Sequence, residues 1–278
     1  MLETSLIDHR GLHLRVARLG KGVPIILLHG YPDNLQIWCR LAPRLAESHE
    51  VIAFDWPGMG YSDAWPGGAT PFHMAERLET LMNAWKIEKA IVAGIDMGGQ
   101  PAAAFSIRHP ERVHSLIIMN SLLQWDESTS WDIAFLRRYG LNRFALRSLP
   151  STVFNRAVRT SLPRGERLDS SVRSDMWESF RKPRVRDFII RMCAGYQGTL
   201  PLLAEQVSSI RIPTLLLWAG QDRHFPVEHA KRFQRAVPSS RIQIVPNAEH
   251  WMPLSAPDAV AGHILDFVGV QRTDPSVL

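Results

Sequence analysis

Short apolar runs recur along the chain, with amphipathic stretches between them. LHLRVARLG (12–20) alternates apolar and polar positions and predicts an edge strand. PIILLHG, VIAFDWPG, AIVAGID, SLIIMN, TLLLWAG and IQIVPN are continuous and rich in Ile, Leu and Val, so they predict strands buried on both faces. LQIWCRLAPRLAES and PFHMAERLETLMNAW carry the spacing of amphipathic helices. In the second, Thr70 suits an N-cap and Pro71 the first helical position. Alternating strands and helices imply an α/β fold, with a mostly parallel sheet covered by helices on both faces.

The alternation stops after SLIIMN and resumes at TLLLWAG. Residues 124–204 are helical in pattern, rich in arginine and broken at Pro150, Pro163 and Pro183. The expected organisation is an α/β core in two parts, 1–123 and 205–278, with a helical cap inserted between them. The tail after Val270 is expected to fray.

With 278 residues and 45% apolar content, the chain can bury one large domain with an inserted lobe. No apolar run approaches the roughly 18 residues of a membrane span. The first residues lack the basic and apolar blocks of a signal peptide, and a cytoplasmic location is expected. Two cysteines, Cys39 and Cys193, give neither a disulfide framework nor a metal spacing. The net charge of +5 is uneven: positions 137–191 hold 14 Lys/Arg against 5 Asp/Glu. That excess suits either an anionic or carrier-bound substrate or a merely solvated helical surface. No pattern argues for nucleic acid or for a membrane.

The run IVAGIDMGGQ (91–100) carries the chemistry. A buried strand ends in Asp96, flanked by Gly94 and Gly98. The spacing Gly-x-Asp-x-Gly predicts a tight strand-to-helix turn that holds the central side chain above the sheet, beside free helical N–H groups. Such a turn needs an acid and a histidine later in the chain, each past a strand. Asp222 in AGQDRHFP follows TLLLWAG, and His250 in NAEHWMP follows IQIVP. After the first parallel strand, HGYPD (29–33) offers the backbone N–H of Tyr31, which with that of Met97 forms a candidate oxyanion hole. His29 suits a structural hydrogen bond, and DWPGMGYSD (55–63) a shaped turn.

Over nearly its whole length the sequence resembles the α/β-hydrolase superfamily. GIDMGG resembles the branch with an aspartate nucleophile, and HGYPD is most similar to the epoxide hydrolases. The resemblance implies an eight-stranded sheet and a two-step reaction without metal or organic cofactor. Asp96 would open an epoxide by forming an alkyl ester. His250, oriented by Asp222, would then activate water to hydrolyse it. Two cap tyrosines would activate the epoxide oxygen: Tyr196 in AGYQG, and Tyr139 in FLRRYG by its distance from Asp96. Trp125, Trp131 and Trp251 are expected to line the substrate pocket. The partner is then an apolar or anionic small molecule, taken by a monomer or homodimer.

Several positions depart from neighbouring branches. Haloalkane dehalogenases generally place Trp after the nucleophile, where this chain has Met97, and often Asn where it has Tyr31. The arginines with which fluoroacetate dehalogenases hold a carboxylate are missing after Asp96. Epoxide hydrolases often carry His where Ile95 stands. Dehalogenase-type chemistry, or a non-hydrolytic ligand-binding role, are the alternatives.

Overall fold

The computed structural model describes residues 1–137 and 139–273, without the side chains at 139, 142 and 270–273. Ser5–His9 (β1) and Leu12–Leu19 (β2) form a hairpin at one edge of an eight-stranded sheet. Pro24–Leu28 (β3), Glu50–Phe54 (β4), Ala90–Ile95 (β5), Val113–Met119 (β6), Thr214–Ala219 (β7) and Arg241–Val245 (β8) complete it. The spatial order is β1-β2-β4-β3-β5-β6-β7-β8, antiparallel for the β1/β2 and β2/β4 pairs and parallel elsewhere. The edge place expected for β2 belongs to β1, which the apolar pattern did not mark. Its residues SLIDH are exposed or half-buried throughout, so no run of apolar positions announces it.

The inner strands β5 and β7 are buried at every residue, as their continuous apolar runs require. The chain passes from β3 outward to β4, then crosses to β5 on the other side of β3. The carboxyl ends of β3 and β5 therefore lie side by side where the winding reverses, and a crevice opens there.

Helices pack on both faces. Ala42–Leu45 (α1), Pro71–Ala84 (α2), Gly99–Arg108 (α3), Glu228–Ala236 (α9), Met252–Ser255 (α10) and Pro257–Thr273 (α11) accompany the sheet. Thr70 caps α2 by accepting from the His73 N–H, with Pro71 in the first turn. The continuous helix expected over LQIWCRLAPRLAES does not form. Asn34 caps a short 3-10 turn at Leu35–Trp38, and α1 then starts afresh. Pro43 has no N–H to donate and would clash with the carbonyl of Cys39, so the helix cannot run through.

Between β6 and β7 the chain forms Trp131–Arg137 (α4), Tyr139–Ser148 (α5), Pro150–Ser161 (α6), Ser170–Phe180 (α7) and Pro183–Gln206 (α8). Pro150 and Pro183 open helices, where a missing N–H costs nothing, and Pro163 follows the end of α6. Helix α8 passes the expected boundary at 204 by two residues. A buried polar cluster ties α7 to the sheet. The Arg15 guanidinium donates to both Asp175 oxygens at 2.9 and 2.8 Å, and the Asn34 amide donates to Asp175 at 2.8 Å. Farther along, the Trp251 N–H donates to the Ser161 carbonyl at 2.9 Å.

Asp175→Ala removes the acceptor of two buried donors at once. The substitution is expected to lower the unfolding free energy by about 3 kcal/mol in urea melts. A loss under about 0.5 kcal/mol, the level of an exposed pair, would show that this cluster does not hold the helices down.

Candidate active site

Asp96 stands at the tip of β5 with φ +50°, a conformation that a residue with a side chain adopts only under constraint. The turn closes tightly around it. A Cβ on Gly94 would stand 2.2 Å from the Gly98 carbonyl oxygen, and one on Gly98 would stand 2.2 Å from that of Leu28. Only glycine fits at either place. The strain is held by two hydrogen bonds to the backbone of Asp96. Its N–H donates to the Asn120 carbonyl at 3.1 Å, and its carbonyl accepts from the Ser121 hydroxyl at 2.5 Å.

The carboxylate of Asp96 faces the end of β3. Its Oδ2 accepts from the Tyr31 N–H at 2.9 Å, and the Met97 N–H also bonds the carboxylate. Burial pushes this carboxyl up to about 6, and the nearby His250 charge and the two N–H groups restrain the rise. At neutral pH it is an anion held beside two aligned donors. The two N–H groups expected to form an oxyanion hole thus meet at one carboxylate.

His250 follows β8, and its Nδ1 lies 2.8 Å from Asp222 Oδ2. The other Asp222 oxygen accepts the N–H groups of His224 and Phe225, at 2.7 and 3.1 Å, which fixes the carboxylate in the turn after β7. Burial opposes a charge on His250. The Asp222 carboxylate outweighs it, with help from Asp96 and Asp33, and lifts the imidazole to about 9. His29 behaves as expected of a structural residue: its Nε2 accepts from the Trp56 N–H at 3.1 Å, and its Nδ1 faces the Gly30 carbonyl at 2.9 Å.

Two spaces meet at Asp96. The larger, about 220 Å³, runs under α4 and α6, with His250 and His224 at its base and a mostly apolar wall that includes Ile133, Leu136, Leu149 and Val153. The arginine in that wall, Arg156, is paired with Asp132. The smaller, about 30 Å³, is bounded by Gln100, Cys193, Arg137 and Tyr196. Tyr196 is buried on α8. Burial, together with the Cys193 thiol and the Asp96 charge, raises its hydroxyl well above the usual phenol range, so it stays protonated. Tyr139 opens α5, but its side chain lies outside the described residues.

The tryptophans need correction. Trp131 lines the larger space, while Trp125 and Trp251 line neither. Trp125 is half-buried beneath the Arg137 guanidinium, 4.3 Å from its ring centre. Trp251 is wholly buried where α10 begins. Aromatic residues near a catalytic loop in sequence pack into the core as readily as into a pocket.

A model of the α/β hydrolase fold matches residues 23–257. The chain belongs to the α/β-hydrolase fold family. Epoxide hydrolase 3 of Xenopus tropicalis is 25% identical over 88% of this chain and 71% of its own. A 2-hydroxy-6-oxo-6-(2'-aminophenyl)hexa-2,4-dienoic acid hydrolase of Metapseudomonas resinovorans is also 25% identical, over 96% of this chain and 91% of its own. A solved thermophilic esterase from Thermogutta terrifontis superposes with a TM-score of 0.81 at 23% identity, covering 98% of this chain and all of the other. The names of these relatives agree on hydrolysis. They divide over the bond that is cut.

Two residues at the site carried no expectation from the sequence. His224 lies edge-on to His250 at 5.1 Å between ring centres, and its Nδ1 is 2.8 Å from the Ser130 hydroxyl. Burial, with the His250 charge, presses it down to about 4, so it is a neutral imidazole. Its position two residues after Asp222 is the signal that could have marked it. Asn120 ends the run SLIIMN. Its amide donates to the His250 carbonyl at 2.8 Å and accepts from the Ala219 N–H at 2.9 Å. Nothing in a lone Asn past a strand announces such a role.

Asn120→Ala leaves the His250 carbonyl and the Ala219 N–H without these partners. We expect a stability loss of about 2 kcal/mol in denaturant melts. A fall in kcat of more than about tenfold is expected beside it, because the histidine loop loses its tether. Loss of stability with kcat unchanged would confine Asn120 to a structural part.

Proposed function

We propose that this hydrolase opens epoxides to vicinal diols through an ester on Asp96. The observation that carries the reading is the Asp96 carboxylate itself. It occupies the place of a nucleophile, and its own Oδ2 already sits against an oxyanion-hole donor. A carboxylate is nucleophilic without a base, and it attacks sp3 carbon. In this reading residues 124–204 act as a cap over a two-part core, 1–123 and 205–278.

Asp96 Oδ1 attacks one oxirane carbon. The carbon–oxygen bond breaks, and its electron pair and a proton from Tyr196 become the new hydroxyl. The product of this step is an ester on Asp96 that carries no charge. His250 has then lost one of the anions that held it protonated, so it sheds its proton, which passes to the Tyr196 phenolate and leaves a neutral imidazole. It takes a proton from water, and the hydroxide attacks Cγ of Asp96. The tetrahedral oxyanion lies against the N–H groups of Tyr31 and Met97. Collapse expels the diol alkoxide, which takes the proton from His250, and the Asp96 carboxylic acid then gives its own proton to His250, restoring the resting ion pair. The diol therefore keeps an oxygen that began on Asp96.

Two further features support an epoxide over a halide. A departing halide needs N–H donors beside the nucleophile, whereas Met97 has none on its side chain, Trp125 lies away from the cavity, and Trp131, which lines it, is 67% exposed. Tyr196, by contrast, is a protonated hydroxyl in the space that touches Asp96. The wall of the larger space is mostly apolar and its arginine is neutralised, which favours an apolar substrate over an anionic one.

His250→Gln tests the chemistry directly. With a panel of small epoxides it should accumulate a mass increase equal to the whole epoxide, located on Asp96. An increase equal to an alkyl group, obtained with bromoalkanes only, would replace this reading with dehalogenation. An unmodified Asp96 under saturating reagent from both panels would remove the nucleophile reading. Tyr196→Phe should slow ester formation from epoxides by on the order of a hundredfold.

The ester-forming step also has a defined pH dependence. It needs ionised Asp96, so its rate falls as pH drops through about 6. In His250→Gln the cation that restrains the Asp96 carboxyl is gone. The acid limb should then move to higher pH, as read by single-turnover mass measurements. An unshifted limb would mean that His250 is uncharged in the resting enzyme.

A further inference from the structure

Two measures of the cap surface coincide around the mouth of the larger cavity. The first is exposure. Among the described residues, the large apolar side chains left most open are Met1, Leu6, Trp131, Leu141, Phe144, Leu149 and Leu202. Four of these seven fall between positions 131 and 149. Trp131 is 67% exposed and Phe144 64% exposed. Trp131 and Leu149 also line the cavity, so the open apolar surface runs into the path to Asp96. Isolated exposed hydrophobes are ordinary, but a cluster that continues into a cavity is not.

The second measure is charge. Positions 133–165 hold seven arginines and no aspartate or glutamate. Arg147 is paired with Asp187, and Arg156 with Asp132. No ion pair engages Arg143, Arg159 or Arg164 among the described residues. Along α5 the arginines and the apolar residues separate: Arg143 and Arg147 flank one side of the exposed arc, and Leu141 and Phe144 the other. An apolar strip with aromatic members, bordered by arginines, has the chemistry of a helix lying in a lipid–water interface.

We propose that α4, α5 and the start of α6 dock on the surface of an anionic lipid bilayer, with the cavity mouth facing the lipid. The contact is peripheral, because no helix of the described residues is long and apolar enough to cross a membrane. Trp131 and Phe144 enter the interfacial layer, and Arg143 and Arg159 meet lipid phosphates. A second copy of this chain is a poorer occupant. A two-fold contact through this patch would set arginines against arginines, because Asp132, the one acid of these helices, is already paired with Arg156. A bilayer satisfies both halves of the patch. It also places the mouth of an apolar cavity where apolar molecules concentrate.

The test is co-sedimentation of the full chain with vesicles of phosphatidylcholine alone and of phosphatidylcholine mixed with phosphatidylglycerol. Binding to the mixed vesicles is expected, at least about tenfold tighter than to the neutral ones and weakened by salt. The double variant Trp131→Ser, Phe144→Ser should lower that binding by more than about tenfold. Arg143→Gln and Arg159→Gln should each lower it about fivefold. Thermal melts, unchanged for these surface positions, separate lost docking from lost folding. Failure to sediment with anionic vesicles at low salt overturns the proposal. So does binding that survives the Trp131 and Phe144 substitutions. Self-association in light scattering, removed by the same substitutions and unaffected by vesicles, would assign the patch to a second copy instead.

Discussion

The candidate site depends on one asparagine at the end of β6. Through its carbonyl, Asn120 holds the strained N–H of Asp96. Through its amide it holds the carbonyl of His250 and the N–H of Ala219, the last residue of β7, from which Asp222 follows. Three loops leave the same end of the sheet, and each carries one reactive group. The sheet sets the loops side by side, but parallel strands say nothing about how far each loop rises. Asn120 supplies that constraint. It sits at φ +38°, which asparagine tolerates better than most residues with a side chain. The carbonyl and the amide are thereby turned toward different loops.

Once the loops are fixed, the charges decide what the site can do. Burial disfavours every ion in it, yet Asp96, Asp222 and His250 lie together, with Asp33 close by. Each group is kept charged by its neighbours rather than by water. Such a group of charges can change state when one member is neutralised. Alkylation of Asp96 would be such an event, because it removes an anion from beside His250 without moving any atom of the imidazole. A histidine that is a cation before the ester forms and a base after it needs no conformational change between the two steps.

The legible parts of the molecule are those where local chemistry and global position coincide. Five continuous apolar runs became strands buried on nearly every residue, whereas the sixth, expected to be buried, is β8 at the far edge of the sheet, with Arg241 and Gln243 exposed. The turn at Asp96 was legible because only glycine can stand where Gly94 and Gly98 do. β1 was hidden for the opposite reason: its residues are exposed or half-buried, so its membership of the sheet rests mainly on backbone pairing. The helix expected from Leu35 fell to one proline, which outweighs a whole amphipathic pattern. Trp125 and Trp251 show the limit for sites. Nearness in sequence to a reactive loop does not say which side of the loop a ring packs on. Asn120 and His224 were hidden because their roles lie wholly in contacts across the sheet and between loops.

The arginine-rich segment between β6 and β7 shows how a single composition divides when it folds. The arginine excess suited either an anionic substrate or a merely solvated surface, and the arginine in the wall of the larger cavity is taken up by an aspartate on a neighbouring helix. Arg143, Arg159 and Arg164 are exposed on the outside, while Arg137 bounds the smaller space. A cavity with a mostly apolar wall raises the cost of any charge within it. That cost is borne only at Asp96 and its partners, where backbone N–H groups and opposite charges compensate. In the larger cavity a substrate bearing its own carboxylate would add an anion beside Asp96, where the one arginine of the wall is already paired. If Asp96 is the nucleophile we propose, the same burial that raises its carboxyl would select against anionic molecules in that cavity, whatever the net charge of the surface above it.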